Sequence, residues 1–395
     1  EEKGVQSAQD ALAGACDILA EQFSENADYR KAIRELTFRY GVILSSPTKE
    51  KAEEKNEFAM YYEYSEPVRT IADHRVLALN RGEAKKVLKV AVEAPVERIH
   101  AYLESHILGK KPSSYLRNTI ADSYKRLIAP SIERETRAAL TERAEESAIQ
   151  VFAKNLKALL MAPPVKGKVI MGFDPAFRTG CKIAVIDAVG KLLDYTTVYP
   201  TAPQNRTDEA KRILSAMIAK HGVQVISIGN GTASRESEQF VAELIKSLPA
   251  KVEYVIVNEA GASVYSASKL GADEYPELNV SIRGAVSIAQ RLKDPLAELV
   301  KIDPKHIGVG QYQHDVNQNE LSGALEHVVE DAVNSVGVDV NTASPALLGY
   351  VSGVSKKTAA AIFDYVKEHG GMKNRREILK VSGIGAKAFE QCAGF

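Results

Sequence analysis

Two glycine-centred turns, Val351-Ser352-Gly353-Val354-Ser355 and Val381-Ser382-Gly383-Ile384-Gly385, predict the fold of the C-terminal part of this sequence. Each turn follows apolar residues and precedes a helical pattern that contains lysine. Glycine permits a sharp turn, and the backbone N–H groups at the start of the following helix favour an anion. We therefore predict a tandem helix-hairpin-helix over residues 340–395 that contacts phosphates rather than bases.

The distribution of charge supports this interpretation. Residues 341–395 hold eight Lys or Arg against four acids, whereas residues 311–339 hold six acids and no Lys or Arg, so the net charge of +0 conceals an asymmetry. Helix turns with capping glycines and solvated lysines are the alternative, but two such turns in tandem favour hairpins. Because Ser355 replaces a glycine in the first turn, we expect the second to bind more strongly. The residues predicted to bind nucleic acid are Gly353, Lys356, Lys357, Arg375, Arg376, Gly383, Gly385 and Lys387.

Size and composition indicate a globular protein of two or three domains, since 395 residues with 45% hydrophobic content exceed one ordinary core. The sequence has no run of 18 uncharged apolar residues and no apolar export signal, so we expect a cytoplasmic protein that does not bind membranes. Its three cysteines, Cys16, Cys181 and Cys392, lie far apart. Neither a disulfide framework nor a zinc site is therefore expected.

The order of predicted elements gives the domain organisation. Residues 1–165 read as a helical scaffold with a long helix over about 130–161. Residues 166–305 read as three strands followed by helix, strand, helix and strand, which is the order of a ribonuclease-H-like mixed sheet. Residues 306–339 form an acidic helical connector to the tandem hairpins at 340–395. The predicted fold class is multidomain, mainly α, with one α/β domain.

Three carboxylates lie where such a sheet would carry phosphodiester chemistry. Asp174 ends the first strand, Glu259 follows the last, and Asp294 opens a late helix. Two Mg²⁺ or Mn²⁺ ions bridging a phosphate need carboxylates from separate elements. Each residue also has a structural interpretation, as a turn before Pro175 for Asp174 and as a cap for Glu259 and Asp294. For Asp294 alone the cap is favoured.

Several longer motifs resemble the bacterial Tex family of transcription accessory proteins. Asp174-Pro-Ala-Phe-Arg-Thr-Gly180 is one, and the others occupy residues 73–83, 229–236, 258–266, 283–289, 307–316 and 339–344. The resemblance implies a YqgF/RuvC-type ribonuclease-H-like domain followed by the helix-hairpin-helix pair. Family members normally add an N-terminal helical region and a C-terminal OB-type RNA-binding domain, and we expect this chain to be the core without them.

Two departures from the family pattern bear on chemistry. Ala176 stands where YqgF-like strands have a glycine, and Asn230 stands where resolvase relatives carry an acid. We therefore predict a non-catalytic transcription accessory factor that binds nucleic-acid backbones independently of sequence. A metal-dependent, structure-selective nuclease using Asp174, Glu259 and Asp294 is the alternative. Phosphoryl transfer from ATP is disfavoured, because sugar kinases use two such lobes.

The expected partners are DNA, RNA or both, with the transcription machinery as a further candidate. Arg178 and Arg235 follow strands one and four, and each is predicted either to contact phosphate or to form an internal salt bridge. No cofactor is expected outside the nuclease alternative, in which Asp174 and Glu259 would hold the metal.

Overall fold

The computed structural model describes residues 7–49, 56–109, 113–308 and 310–395. It divides into two compact units, one formed by residues up to 150 together with 312–317 and the other by residues 151–311 together with 318–395. The fold class predicted from the sequence is confirmed, because the chain is mostly helical and contains one mixed five-stranded sheet. Within the described residues, no helix combines the length and apolar character needed to cross a membrane.

The first unit is built mainly from amphipathic helices. They are α1 (Ala8–Glu25), α2 (Ala27–Tyr40), α3 (Asp73–Ala84), α4 (Val96–Ile107), α5 (Ser114–Asp122) and α6 (Ala129–Leu160), with a 3-10 turn at Ala59–Tyr61. A π-helical turn, Ser123–Ile128, joins α5 to α6, the long helix expected from the sequence. Ile33, Ile99 and Ile120 from α2, α4 and α5 bury their side chains together and hold these helices in one core.

A small antiparallel sheet in this unit was not predicted. Its strands are β1 (Val42–Pro47), β2 (Tyr64–Pro67) and β3 (Leu88–Glu93), in the order β2-β1-β3. Burial alternates along β1, with Ile43 inward, and Leu88 and Val90 of β3 are also buried. The scaffold is therefore helical with a three-stranded insert.

The second unit contains the predicted ribonuclease-H-like sheet. Its strands are β4 (Ile170–Asp174), β5 (Cys181–Ile186), β6 (Leu192–Val198), β7 (Val225–Gly229) and β8 (Glu253–Val257). Their order is β6-β5-β4-β7-β8, with β4, β5 and β6 antiparallel and β4, β7 and β8 parallel. A tight hairpin joins β5 to β6, and the N–H of Asp187 donates to Lys191 O at 2.9 Å across it.

Helices cover both faces of the five-stranded sheet. Apolar residues of α7 (Thr207–His221) and α8 (Ser234–Ser247) pack on one face, and α11 (Val280–Lys293) packs on the other. Helix α11 lies so close to β4 that a Cβ on Gly172 would overlap the carbonyl oxygen of Ala285. This close approach places the residues of α11 beside the C-terminal end of β4. The shorter helices are α9 (Ala262–Ala267), α10 (Lys269–Glu274) and α12 (Pro295–Leu299).

The C-terminal part of the second unit is helical. Its helices are α13 (Gln318–Val336), α14 (Pro345–Leu348), α15 (Lys356–His369) and α16 (Ala386–Cys392), with 3-10 turns at Pro304–His306 and Arg375–Lys380. Helix α13 buries Leu321, Leu325 and Val329 and exposes Glu326 and Glu330. Four of the six acids noted in the sequence, Glu320, Glu326, Glu330 and Asp331, therefore lie on the solvent face of one amphipathic helix, and Asp315 and Asp339 lie outside it.

Candidate functional site

The first hairpin connects α14 to α15 through the predicted turn. Gly353 has φ +79°, a left-handed conformation that favours glycine. The N–H of Val354 donates to Val351 O at 3.0 Å and closes the turn. Both valines are buried, whereas Ser352 and Gly353 are exposed. The apolar residues thus anchor the turn and leave its tip in solvent.

The second hairpin repeats this geometry between the 3-10 turn Arg375–Lys380 and α16. Gly383 has φ +90°, and the N–H of Ile384 donates to Val381 O at 3.2 Å. Val381 and Ile384 are buried, and Gly383 is exposed. The two turns are therefore anchored by apolar residues at equivalent positions, and each exposes its glycine at the tip.

The two hairpins pack against each other reciprocally. A Cβ on Gly353 would lie 2.7 Å from Cβ of Gln391 and 3.0 Å from the carbonyl oxygen of Ala388, both in α16. A Cβ on Gly383 would lie 3.0 Å from Cγ2 of Thr358 in α15. Each turn thus contacts the helix that follows the other turn, and glycine permits this close approach.

In the first hairpin, most backbone N–H groups already have internal acceptors. The N–H of Ser352 donates to Asn334 Oδ1 at 3.0 Å. Ser355 and Thr358 form a capping box, with Ser355 N–H to Thr358 Oγ1 at 2.7 Å and Thr358 N–H to Ser355 Oγ at 3.2 Å. These donors are unavailable to a ligand unless the cap opens.

The second hairpin leaves its donors open. Gly385, which begins α16, has extended backbone and supplies no side chain to cap the helix. Among residues 310–395, the N–H groups of Gly383, Gly385 and Lys387 have no hydrogen-bond acceptor, and all three residues are exposed. In the first hairpin the N–H groups of Gly353 and Lys357 also lack an acceptor in this range, so among these equivalent groups the two hairpins differ at Ser355, whose N–H is occupied, and Gly385, whose N–H is open. Stronger binding of an anion at the second turn stays a prediction.

The predicted cations lie at the exposed ends of these elements. Lys356 and Lys357 open α15, Lys387 lies in the first turn of α16, and Arg375 and Arg376 begin the preceding 3-10 turn. All five side chains are exposed, and none forms an ion pair within the described part of the chain. They are therefore free to neutralise an external anion.

A second candidate site lies at the C-terminal ends of β4, β7 and β8. The Glu259 side chain extends from the end of β8 over Gly229-Asn230-Gly231, and a Cβ on Gly231 would overlap its Oε1. The N–H of Glu259 donates to Asn230 Oδ1 at 3.2 Å. The absence of side chains at the two glycines is what lets Glu259 reach towards Asp174.

Both carboxyl groups lie in an environment that disfavours negative charge. Burial, and next the charge of Glu259, raise the pKa of Asp174 to about 7, and Lys182 opposes this shift. Burial also raises the pKa of Glu259, against the Gly231 backbone and Arg291. A cation between the two carboxylates would offset this penalty.

Sequence reasoning missed two buried cations that frame this pair. Arg291, only 3% exposed, donates from Nη1 to the carbonyl oxygens of Asn258 at 2.8 Å and Ala260 at 2.7 Å. It thereby fixes the loop that carries Glu259. Lys182 donates from Nζ to carbonyl oxygens at the β4–β5 turn, including that of Gly180 at 2.7 Å. A charged residue inside an apolar strand or helix was the available signal.

Asp294 does not join Asp174 and Glu259. Asp174 Oδ2 would lie 3.0 Å from a Cβ on Gly284, near the start of α11, whereas Asp294 follows the end of that helix. Ten residues of helix separate the two positions by about 15 Å. Asp294 instead caps α12 by accepting from Ala297 N–H at 3.1 Å, as its structural interpretation predicted. The described residues contain no group of three or more His, Cys, Asp or Glu placed to hold a metal.

Arg178 and Arg235 are both exposed, in the loop after β4 and in the first turn of α8. Neither forms an ion pair with the described residues, so the internal salt bridge considered as an alternative is not seen there. Contact with phosphate remains a prediction for both.

Comparison with known proteins gives three family matches. The Tex central region-like family matches residues 1–152, the Tex protein YqgF-like domain matches residues 168–293, and a helix-hairpin-helix motif matches residues 333–395. Each match falls in a different part of the chain described above.

Similar proteins match along the whole chain. The "Uncharacterized protein YdcI" of Bacillus subtilis (strain 168) is 53% identical, and the match covers 100% of this chain and 56% of that protein. "Protein tex" of Bordetella pertussis is 47% identical (100% and 52%), and the "Transcriptional accessory protein Tex" of Neisseria gonorrhoeae is 45% identical (100% and 53%). The chain thus spans about half the length of these relatives.

Proposed function

This chain belongs to the Tex family, and from that membership and the hairpin geometry we propose that it binds nucleic-acid backbones as part of a transcription accessory factor. The observation that carries the proposal is the open second turn, where Gly383, Gly385 and Lys387 are exposed and their N–H groups have no acceptor among residues 310–395. Two of the relatives are named as Tex proteins, one of them as a transcriptional accessory protein. We propose that this chain acts in the same process, in the cytoplasm.

The chemistry of the hairpins supports binding to phosphate. At the second turn, a phosphate would accept from the N–H groups of Gly383, Gly385 and Lys387, with the Lys387 ammonium beside it. At the first turn, the capping box occupies the N–H of Ser355, the position equivalent to Gly385, so fewer donors are open there beside Lys356 and Lys357. Neither turn offers side chains for reading base edges, and binding is therefore proposed to be independent of sequence, to DNA or RNA.

We further propose that the ribonuclease-H-like domain acts as a docking module without catalysis. Two carboxylates, those of Asp174 and Glu259, converge at its sheet edge. The strand between theirs is followed by the uncharged Asn230, and Asp294 lies at the far end of α11. Two-metal phosphodiester chemistry needs more carboxylate ligands than this pair supplies. Arg178 and Arg235 would give the sheet edge a weak affinity for phosphate.

A metal-dependent, structure-selective nuclease remains the second candidate, because the structure does bring Asp174 and Glu259 together. Oxygen donors suit Mg²⁺ or Mn²⁺, and Glu259 Oε2 is buried without a partner in the described residues. These residues fit one divalent ion with water completing its shell. Bound there, the ion would polarise a phosphate oxygen, and Asp174 and Glu259 would hold it in place.

Two measurements on the 395-residue chain test these proposals. Fluorescence anisotropy with labelled duplex DNA and structured RNA should show weak binding that strengthens as salt falls. For duplex DNA, log affinity should rise by about 0.9 per neutralised phosphate for each tenfold fall in salt. Gly383→Val should abolish most of this binding. Incubation of branched DNA and structured RNA with Mg²⁺ or Mn²⁺ should leave both intact. Cutting that disappears in Asp174→Asn would establish the nuclease instead.

A further inference from the structure

A cleft of about 470 Å³ lies in the first unit and shares no residue with either site described above. Helix α2, strand β3, helix α4 and the segment from α5 to α6 contribute to its walls. Its volume is in the range of pockets that hold small organic molecules. Its walls carry Ala94, Ala121 and Ala129, small apolar side chains that leave room between the helices.

Two polar atoms of this cleft lack partners. Thr37 is 1% exposed, and its Oγ1 has no hydrogen-bond partner among the described residues. The Nε2 of His100 is likewise buried and unpartnered in that part of the chain. Buried polar groups in native proteins are nearly always hydrogen-bonded, and a helical threonine usually has a carbonyl of its own helix within reach. Two unpaired atoms on one cleft therefore point to an external partner.

The remaining polar groups indicate what that partner carries. Glu133 accepts from Val92 N–H through Oε1 at 2.9 Å. Burial and the charge of Glu133 raise the pKa of Tyr124, so its hydroxyl stays a donor. The Tyr124 and His100 rings meet edge to face at 5.3 Å between centroids. Donors and acceptors thus stand side by side on the cleft wall.

The charges around the cleft favour a neutral ligand. Glu93 and Glu133 oppose an anion, and the exposed Lys125 opposes a cation. We propose that the cleft binds a planar nitrogen heterocycle of nucleobase size, whose edge both donates and accepts hydrogen bonds. Both Thr37 Oγ1 and His100 Nε2 are buried from solvent, so binding would require these side chains to turn towards the cleft. The edge of the ligand would then pair with these two atoms, and its faces would lie against the apolar wall.

This proposal is independent of the hairpins, and its test uses adenosine, guanosine, cytidine and uridine as probes. The nitrogen resonances of the imidazole rings, recorded on ¹⁵N-histidine-labelled chain, report directly on His100 Nε2. A His100→Gln variant identifies the His100 signals among those of the eight histidines. At least one nucleoside should shift this resonance in a saturable manner.

Three variants decide whether the shift comes from the cleft. Thr37→Val removes the hydroxyl and keeps the shape, and should weaken binding roughly fivefold. Ala121→Leu fills the cleft and should abolish binding, while Thr70→Val, at an exposed site, should leave it unchanged. Thermal unfolding verifies that each variant folds, and a variant of Ala121 to Val replaces Leu where it does not.

A five-nucleotide single-stranded RNA distinguishes the two sources of the base, a nucleic-acid strand and a free nucleoside. Competition with the bound nucleoside would show that a strand delivers the base, and failure to compete would assign the cleft to free nucleosides. The proposal is overturned if none of the four nucleosides shifts His100, or if binding persists unchanged in both cleft variants. An ordered water network would then be the occupant of the cleft.

Discussion

Gly385→Ser tests the claim that the open second turn is the principal phosphate site. Gly385 has φ −95° and ψ 179°, which serine adopts readily, and a Cβ there meets nothing within 4 Å. The new hydroxyl lies at the N-cap of α16, where it can accept from the open N–H of Lys387, the second residue of the helix. The substitution therefore gives the second turn the internal cap that the first already has.

The structure predicts opposite effects on stability and on binding. A serine in place of glycine at a helix N-cap should stabilise the fold by a few tenths of a kcal/mol. Capture of one N–H removes a hydrogen bond to a charged phosphate, worth about 1.5–3 kcal/mol, so the dissociation constant should rise about tenfold or more. Anisotropy titrations on duplex DNA between about 50 and 200 mM salt measure both affinity and slope. The slope should stay constant, since no charge is lost.

Ser355→Gly is the matched control in the first hairpin. It removes the existing cap, so it should lower the unfolding free energy by a few tenths of a kcal/mol without weakening binding. If Gly385→Ser folds normally and binds nucleic acid as tightly as the unmodified chain, the open amides do not contact phosphate. The asymmetry between the two turns would then have no role in binding.

Three further predictions follow from the same contacts. Lys387→Gln should weaken binding and reduce the salt slope by about 0.9, measured by the same titrations. Gly231→Ala should force Glu259 out of its present position and lower the unfolding free energy by about 1–3 kcal/mol in urea titrations, whereas an unchanged value would mean that Glu259 relaxes freely. Because the pKa of Asp174 is raised to about 7, the folded chain binds a proton at this carboxyl group more tightly than the unfolded chain does. The unfolding free energy should therefore fall as pH rises from about 4 through 7, by up to about 4 kcal/mol. Asp174→Asn should remove that fall in urea titrations with EDTA at about pH 5 and 8; equal pH dependence in both chains would contradict the burial argument.

The sequence was sufficient for the five-stranded sheet because its central strands are continuous apolar runs. β5 and β7 are buried along their whole length, and that pattern is hard to mistake. The small sheet in the first unit was overlooked, since its strands have four to six residues and only partial burial. Short, half-buried strands among helices carry too few residues to show their period.

The candidate sites were predictable only in part. The ends of strands located Asp174 and Glu259, because the ends of neighbouring parallel strands meet at one edge of a sheet. Two features of the site depend on packing between distant segments. One is the length of α11, which places Asp294 far from Asp174, and the other is the role of Arg291 beside Glu259. The hydrogen bond from the N–H of Ser352 to Asn334 Oδ1 similarly joins residues eighteen positions apart, and no local pattern predicts it.

The reciprocal contact of the two hairpins has a mechanical consequence. Because Gly353 touches α16 and Gly383 touches α15, the two turn tips belong to one rigid body and keep a constant separation. Two phosphates held at once must match that separation. The hairpin pair would thus select a polymer by the regular spacing along its strand, and a bulky substitution in one turn would also misplace the other.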